Sequence, residues 1–85
     1  MEGFKSILKK HGICLDGFEH YEEDPTTYKK EVLRNEKYMI SSKYYRTSPR
    51  HQKLFCLMDL ESNETIYYGY KLRDLIIKLR GLSLC

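Results

Sequence analysis

The chain has 85 residues, of which 41% are hydrophobic and 32% charged, and a formal net charge of +3. That is the length of one small domain, and eight Tyr, three Phe and many Leu and Ile supply enough apolar surface to exclude disorder as the main state. No uncharged run reaches bilayer length and the acid-bearing start Met1-Glu2-Gly3-Phe4-Lys5 leads into no long apolar stretch, so neither a transmembrane span nor a secretory signal is expected.

Along the chain, Phe4, Ile7 and Leu8 recur at i, i+3, i+4 with lysines opposite and Gly12 placed to end the turn, which predicts a short amphipathic helix over 2–11. Ile13-Cys14-Leu15 suits a short strand, Asp16-Gly17 a turn, and Glu19 to Asp24 is an acidic stretch ending at Pro25. Thr26 or Thr27 as N-cap, with Tyr28, Val32 and Met39 on one face, predicts a helix over 26–36. The alternation of Tyr38, Ile40, Ser42 and Tyr44 predicts a strand over 38–46, and Thr47-Ser48-Pro49-Arg50 a loop. Lys53 to Leu60, the polar turn Glu61-Ser62-Asn63-Glu64 and Thr65 to Tyr68 read as a hairpin. After Gly69, Leu72, Leu75, Ile76 and Leu79 recur at i, i+3, i+4, i+7, with Gly81 as the stop, so a second amphipathic helix follows. The expected architecture is α+β, a single domain over 1–85. It has an N-terminal helix, a three-stranded antiparallel sheet that includes the hairpin near 53–68, and a C-terminal helix packed on the sheet.

The net charge hides an asymmetry. Residues 1–28 set three lysines against six acids, for −3; residues 29–56 set eight cations against Glu31 and Glu36, for +6; residues 57–85 balance. A +6 block attracts phosphates or an acidic protein surface, unless folding interleaves the two blocks and cancels much of the field. Cys14, Cys56 and Cys85 are odd in number and widely spaced, which suits a reducing cytoplasm better than a disulfide scaffold. Cys14 and Cys56 sit in apolar runs and read as small core hydrophobes. With no Ala, no Trp and ten Lys to five Arg, the composition resembles that of an AT-rich genome, such as a low-GC bacterium or a phage.

The segment with the most chemistry is Lys43-Tyr44-Tyr45-Arg46-Thr47-Ser48-Pro49-Arg50-His51-Gln52-Lys53. Cations there neutralise phosphates and Tyr rings stack on unpaired bases, so Lys43, Tyr44, Tyr45, Arg46, Arg50, His51 and Lys53 form the candidate nucleic-acid-binding set. The other reading is that one of the tyrosines faces the core and the cations coat an exposed loop. Tyr67, Tyr70, Lys71 and Arg73 form a second set, suited to a protein partner because Tyr and Arg are enriched at binding hot spots. An aromatic patch results if Tyr67 and Tyr45 share the face away from the helices.

Catalytic and metal readings are weaker. His11-x2-Cys14 with His51-x4-Cys56 is an atypical zinc spacing. A metal-dependent nuclease would draw on Glu19, Glu22, Glu23 and Asp24, and a metal-free ribonuclease on His20, His51 and Arg50, with nothing to bring them together. No catalytic residue, metal or cofactor is assigned. The expected function is a small, non-enzymatic, cytoplasmic accessory protein that binds RNA or single-stranded nucleic acid. The alternative is a phage-type inhibitor or adaptor, antitoxin-like or counter-defence in role, directed at a host protein such as a ribonuclease toxin. A small nuclease is third. No membrane partner is expected.

Overall fold

Leu33, Ile40 and Leu57 stand opposite one another on three neighbouring strands, and all three are completely buried. They mark the covered face of the sheet. The computed structural model describes residues 3–47 and 52–84. In chain order these form α1 (Phe4–Lys10), β1 (Glu19–Glu23), β2 (Tyr28–Arg34), β3 (Tyr38–Tyr45), β4 (Leu54–Asp59), β5 (Glu64–Gly69) and α2 (Leu72–Gly81). The five strands make one antiparallel meander in the order β1-β2-β3-β4-β5.

The α+β class and both helices agree with the sequence, but the expected three-stranded sheet is corrected to five strands. The helix expected over 26–36 is instead β2. Tyr28 and Val32 are four residues apart, a spacing that shares one face of a helix and equally one face of a strand. The β2–β3 turn decides the matter: the Asn35 side-chain oxygen accepts the backbone N–H groups of Lys37 (2.8 Å) and Tyr38 (2.7 Å), reversing the chain. The acidic stretch is β1, a strand of five exposed residues held by its ladder to β2 rather than by burial. Residues 13–15 form no strand; Ile13 and Leu15 are buried in the connection between α1 and β1.

Both helices lie on the Leu33–Ile40–Leu57 face. Phe4 and Leu8 of α1 and Leu75, Ile76 and Leu79 of α2 join Ile13, Leu15, Phe18 and Phe55 in the core. The Phe4 and Phe55 rings stack with centroids 5.9 Å apart. Glu31 reaches up from the same face, and its carboxylate accepts the Phe4 backbone N–H at 2.8 Å, satisfying one of the open donors at the start of α1. At the other end of α1, Ile13 N–H bonds Leu8 C=O and Gly12 N–H bonds Lys9 C=O, with Gly12 in the left-handed region at φ 77°. This is the Schellman closure that glycine permits, so Gly12 ends α1 as expected. Gly81 does not end α2: the helix includes it, Leu82 is the C-cap, and the left-handed residue beyond is Ser83.

Cys14 is disulfide-bonded, whereas Cys56 is a free, half-buried thiol. The bonded Cys14 overturns its reading as a small core thiol. Alkylation under denaturing conditions followed by peptide mapping should leave Cys14 unmodified until a reductant is added.

Tyr67 joins β5 to α2. Its hydroxyl both donates to the Lys71 carbonyl and accepts the Lys71 N–H, each at 3.1 Å. The ring lies over Gly69, where an added Cβ would stand 2.7 Å from the phenol oxygen. Tyr67→Phe should therefore cost about 0.5–1.5 kcal/mol and Gly69→Ala about 1–3 kcal/mol, read from the midpoints of urea unfolding.

Candidate nucleic-acid interface

Alternation along the strands places a second set of residues on the face away from the helices. One row across that outer face runs Tyr21, Val32, Ser41, Cys56, Tyr68, spanning all five strands. The adjacent row runs Glu23, Lys30, Lys43, Leu54, and Tyr28 opposite Tyr45 lies beyond it. Among the described residues no element covers this face. Tyr21, Tyr45, Tyr68 and Tyr70 are each at least half exposed.

Lys43 organises the centre of this surface. Its ammonium lies 4.5 Å from the Tyr28 ring centroid and 5.0 Å from that of Tyr45, and the two rings meet edge to face at 6.2 Å. Directly across the strand pair is Lys30, so two lysines occupy facing positions on an open sheet surface. Like charges in that position repel, and an anion between them removes the penalty. Tyr28 is oriented from the other side by its hydroxyl, which donates to Glu23 at 3.1 Å. Tyr21 likewise donates to Glu19.

The remaining residues of the expected set do not gather here. Tyr44 points to the helix-side face, because it neighbours Tyr45 in the strand, and the Arg46 guanidinium lies 5.9 Å from its ring. Arg46 is ion-paired with Asp24. Lys53 is half-buried just before β4, while Arg50 and His51 lie outside the described residues. The second set is split too. Tyr67 faces α2, so it shares no outer patch with Tyr45. Tyr68, unassigned from the sequence, takes that place in the outer-face row. Tyr70 is exposed beyond the end of β5, and Lys71 and Arg73 belong to the start of α2. Lys30, Tyr28 and Tyr21 were also missed. They lie in segments that lack the density of cations and rings seen at 43–53, and only the β1–β2–β3 pairing brings them beside Lys43.

Pairing of β1 with β2 and β3 also brings the acidic block against the basic one. Glu22 pairs with Lys29 at 3.0 Å, Asp24 pairs with Arg46, and Glu19 and Glu23 stand opposite Arg34 and Lys30. Interleaving therefore cancels much of the +6 block; on the outer face it leaves Lys43, while Lys30 and Arg34 stand there opposite Glu23 and Glu19. The four acids of β1 and its turn do not converge: Glu19 and Glu23 are on one face, Glu22 is on the other, and Asp24 is ion-paired beyond the strand end. His20 lies on the helix-side face and His51 outside the described residues. Cys56 sits on the outer face and Cys14 in the α1–β1 connection near the end of α2, so the two do not come together as a zinc pair. Among the described residues no cluster of three or more His, Cys, Asp or Glu is placed to hold a metal ion.

The hydrogen bond to Glu23, reinforced by its negative charge, raises the Tyr28 pKa above the ordinary 10.0, with Lys43 pulling the other way. Burial raises the Cys56 pKa above 9.0, with Lys30 acting against it. For Tyr28 the folded state holds the proton more tightly than the unfolded chain. Its contribution to stability is complete below the ordinary tyrosine value and is lost as pH rises through the higher folded one. Alkaline titration followed by tyrosinate absorbance should show Tyr28 ionising after ordinary tyrosines, and Glu23→Gln should bring it down.

Comparison with known protein families, with curated proteins and with solved structures finds no match to this chain.

Proposed function

We propose that this protein is a non-enzymatic accessory protein that binds RNA or another single-stranded nucleic acid on the outer face of its sheet. The observation that carries the reading is the Tyr28–Lys43–Tyr45 cluster beside Lys30, on a surface that no helix of the described residues covers. An exposed strand-borne ring offers a π-face to an unpaired base, worth about 1–3 kcal/mol per stacked base, and an adjacent ammonium meets its phosphate. A single strand suits this face better than a duplex, because splayed bases can lie flat on a sheet whereas a duplex keeps its bases stacked inside.

A cytoplasmic site of action in a bacterial or phage-infected cell belongs to this reading. The bonded Cys14 weighs against that compartment, since reducing compartments keep thiols free. No helix of the described residues is long and apolar enough to cross a membrane.

A protein-directed inhibitor or adaptor remains the second reading. It is favoured by Val32, Met39, Cys56 and Met58, which form a half-buried apolar centre on the same face, with Tyr21, Tyr68 and Arg34 around it. Pull-down with and without nuclease treatment separates the two: a partner that survives nuclease supports the second reading, and one that vanishes supports the first.

Direct binding tests the first reading. A labelled single-stranded RNA should bind at low salt and stay intact, with a log–log salt slope of about −0.7 per phosphate contacted. Tyr45→Ala should weaken binding by about 1–3 kcal/mol, and Lys43→Ala should weaken it and flatten the salt slope. Arg46→Ala should matter less, since Asp24 already pairs its guanidinium. Bound RNA should also slow alkylation of Cys56. Absence of binding at low salt, or binding indifferent to Lys43 and Tyr45, overturns the proposal.

A further inference from the structure

The helices carry a second charged surface, on the opposite side of the molecule from the tyrosine face. In α1 the cations are Lys5, Lys9 and Lys10; at the N-cap and along α2 they are Lys71, Arg73, Lys78 and Arg80. The one carboxylate among the described residues of these two helices is Asp74. The block comparison along the chain hides this concentration, because the lysines of α1 are counted with β1's acids and the cations of α2 with the acids of the β4–β5 hairpin. Unlike Lys29 and Arg46, Lys9, Arg73, Lys78 and Arg80 have no carboxylate at ion-pair distance among the described residues.

Between α2 and the end of α1 lies an open groove of about 470 Å³, lined by His11, Leu72, Arg73, Ile76, Ile77 and Arg80. Residues 73, 76, 77 and 80 fall at i, i+3, i+4, i+7, so they form one stripe along α2 with an arginine at each end and two isoleucines between. The arginines are about 10 Å apart along the axis at the rise of an α-helix. Arg80 is held in place by donating to the His11 carbonyl at 3.0 Å, a contact that joins the two helices without neutralising its charge. Ile77 stands 54% exposed at the centre of the stripe.

We propose that this groove docks an acidic amphipathic helix of a partner protein. An apolar side chain of the partner packs on Ile77 and Leu72, while carboxylates about two helical turns apart meet Arg73 and Arg80. Charge complementarity selects this occupant. A second copy of the chain would bring two cationic helix surfaces together. A nucleic acid would find no Tyr or Phe ring in the groove on which to stack, and His11 is its one aromatic side chain. A lipid surface needs several protruding apolar side chains, whereas here Ile77 alone protrudes, Leu72 being half-buried and Ile76 buried. The proposal uses none of the outer-face residues and stands independently of nucleic-acid binding.

The test is a titration of the isotopically labelled protein followed by amide chemical shifts. The probe is a synthetic helical peptide with leucines along one face and glutamates spaced two turns apart beside them. Shifts should concentrate on residues 72–80 and His11. Ile77→Ser, at an exposed position, should weaken binding about tenfold, and Arg73→Glu by at least as much, both with circular dichroism unchanged. The same peptide with lysine for glutamate should produce no shifts. Failure of the acidic peptide to shift these residues at millimolar concentration overturns the proposal, as does equal binding of the lysine peptide. Shifts at 72–80 from phosphatidylserine vesicles or single-stranded RNA, with none from the peptide, would replace it with those occupants. RNA shifts confined to β2, β3 and Tyr68 would leave it intact and report on the sheet face alone.

Discussion

Everything on the surface of this domain follows from the register of one buried row, Leu33–Ile40–Leu57. Side chains alternate across a sheet, so a slip of one residue would send this row to solvent and bring Lys30, Lys43 and Val32 under the helices. Burying an unpaired ammonium is far costlier than exposing a leucine, and the alternative register is excluded on that ground. With the row inside, Tyr28, Lys30, Lys43 and Tyr45 are necessarily outside. The binding surface and the core are two consequences of one alternation.

The same meander also decides the electrostatics. Adjacent strands in sequence are adjacent in space, so the acidic block must lie against the basic one, and the pairs Glu22–Lys29 and Asp24–Arg46 result. Exposed pairs of this kind contribute little to stability. Their larger effect is on the field: they leave two neighbouring lysines among tyrosines on one side of the molecule and a cationic helix layer on the other. Glu31 and Glu22 both turn to the helix-side face; Glu22 pairs with Lys29, while Glu31 bonds the start of α1 and ties the helix layer to the sheet.

Legibility differed by element for identifiable reasons. Both helices, β3 and the β4–β5 hairpin carry apolar residues at one unambiguous period, and they are where periodicity placed them. β2 misled because Tyr28 and Val32 are spaced four apart, which satisfies both periods, while the chain reversal at Asn35 rests on side-chain bonds to Lys37 and Tyr38. β1 has no apolar period at all: its five residues are exposed and glutamate-rich, and it is a strand because β2 offers it a ladder. Of the candidate site, Lys43 and Tyr45 were readable from local density of charge and rings. Tyr21, Tyr28, Lys30 and Tyr68 were not, since they come from three other strands.

By itself the sequence determined the class, the two amphipathic helices, the hairpin and the presence of a segment rich in cations and tyrosines. These are local properties, written in periods of two and 3.6 and in turn residues. Tertiary structure alone decided the number of strands, which tyrosines share a face, which cations remain after the acids of β1 have been paired, and where the helices gather a positive surface. That surface joins Lys9 to Arg73, Lys78 and Arg80 across more than sixty residues of chain. Pairing partners that distant are set by the folding of the whole sheet, and no local pattern encodes them.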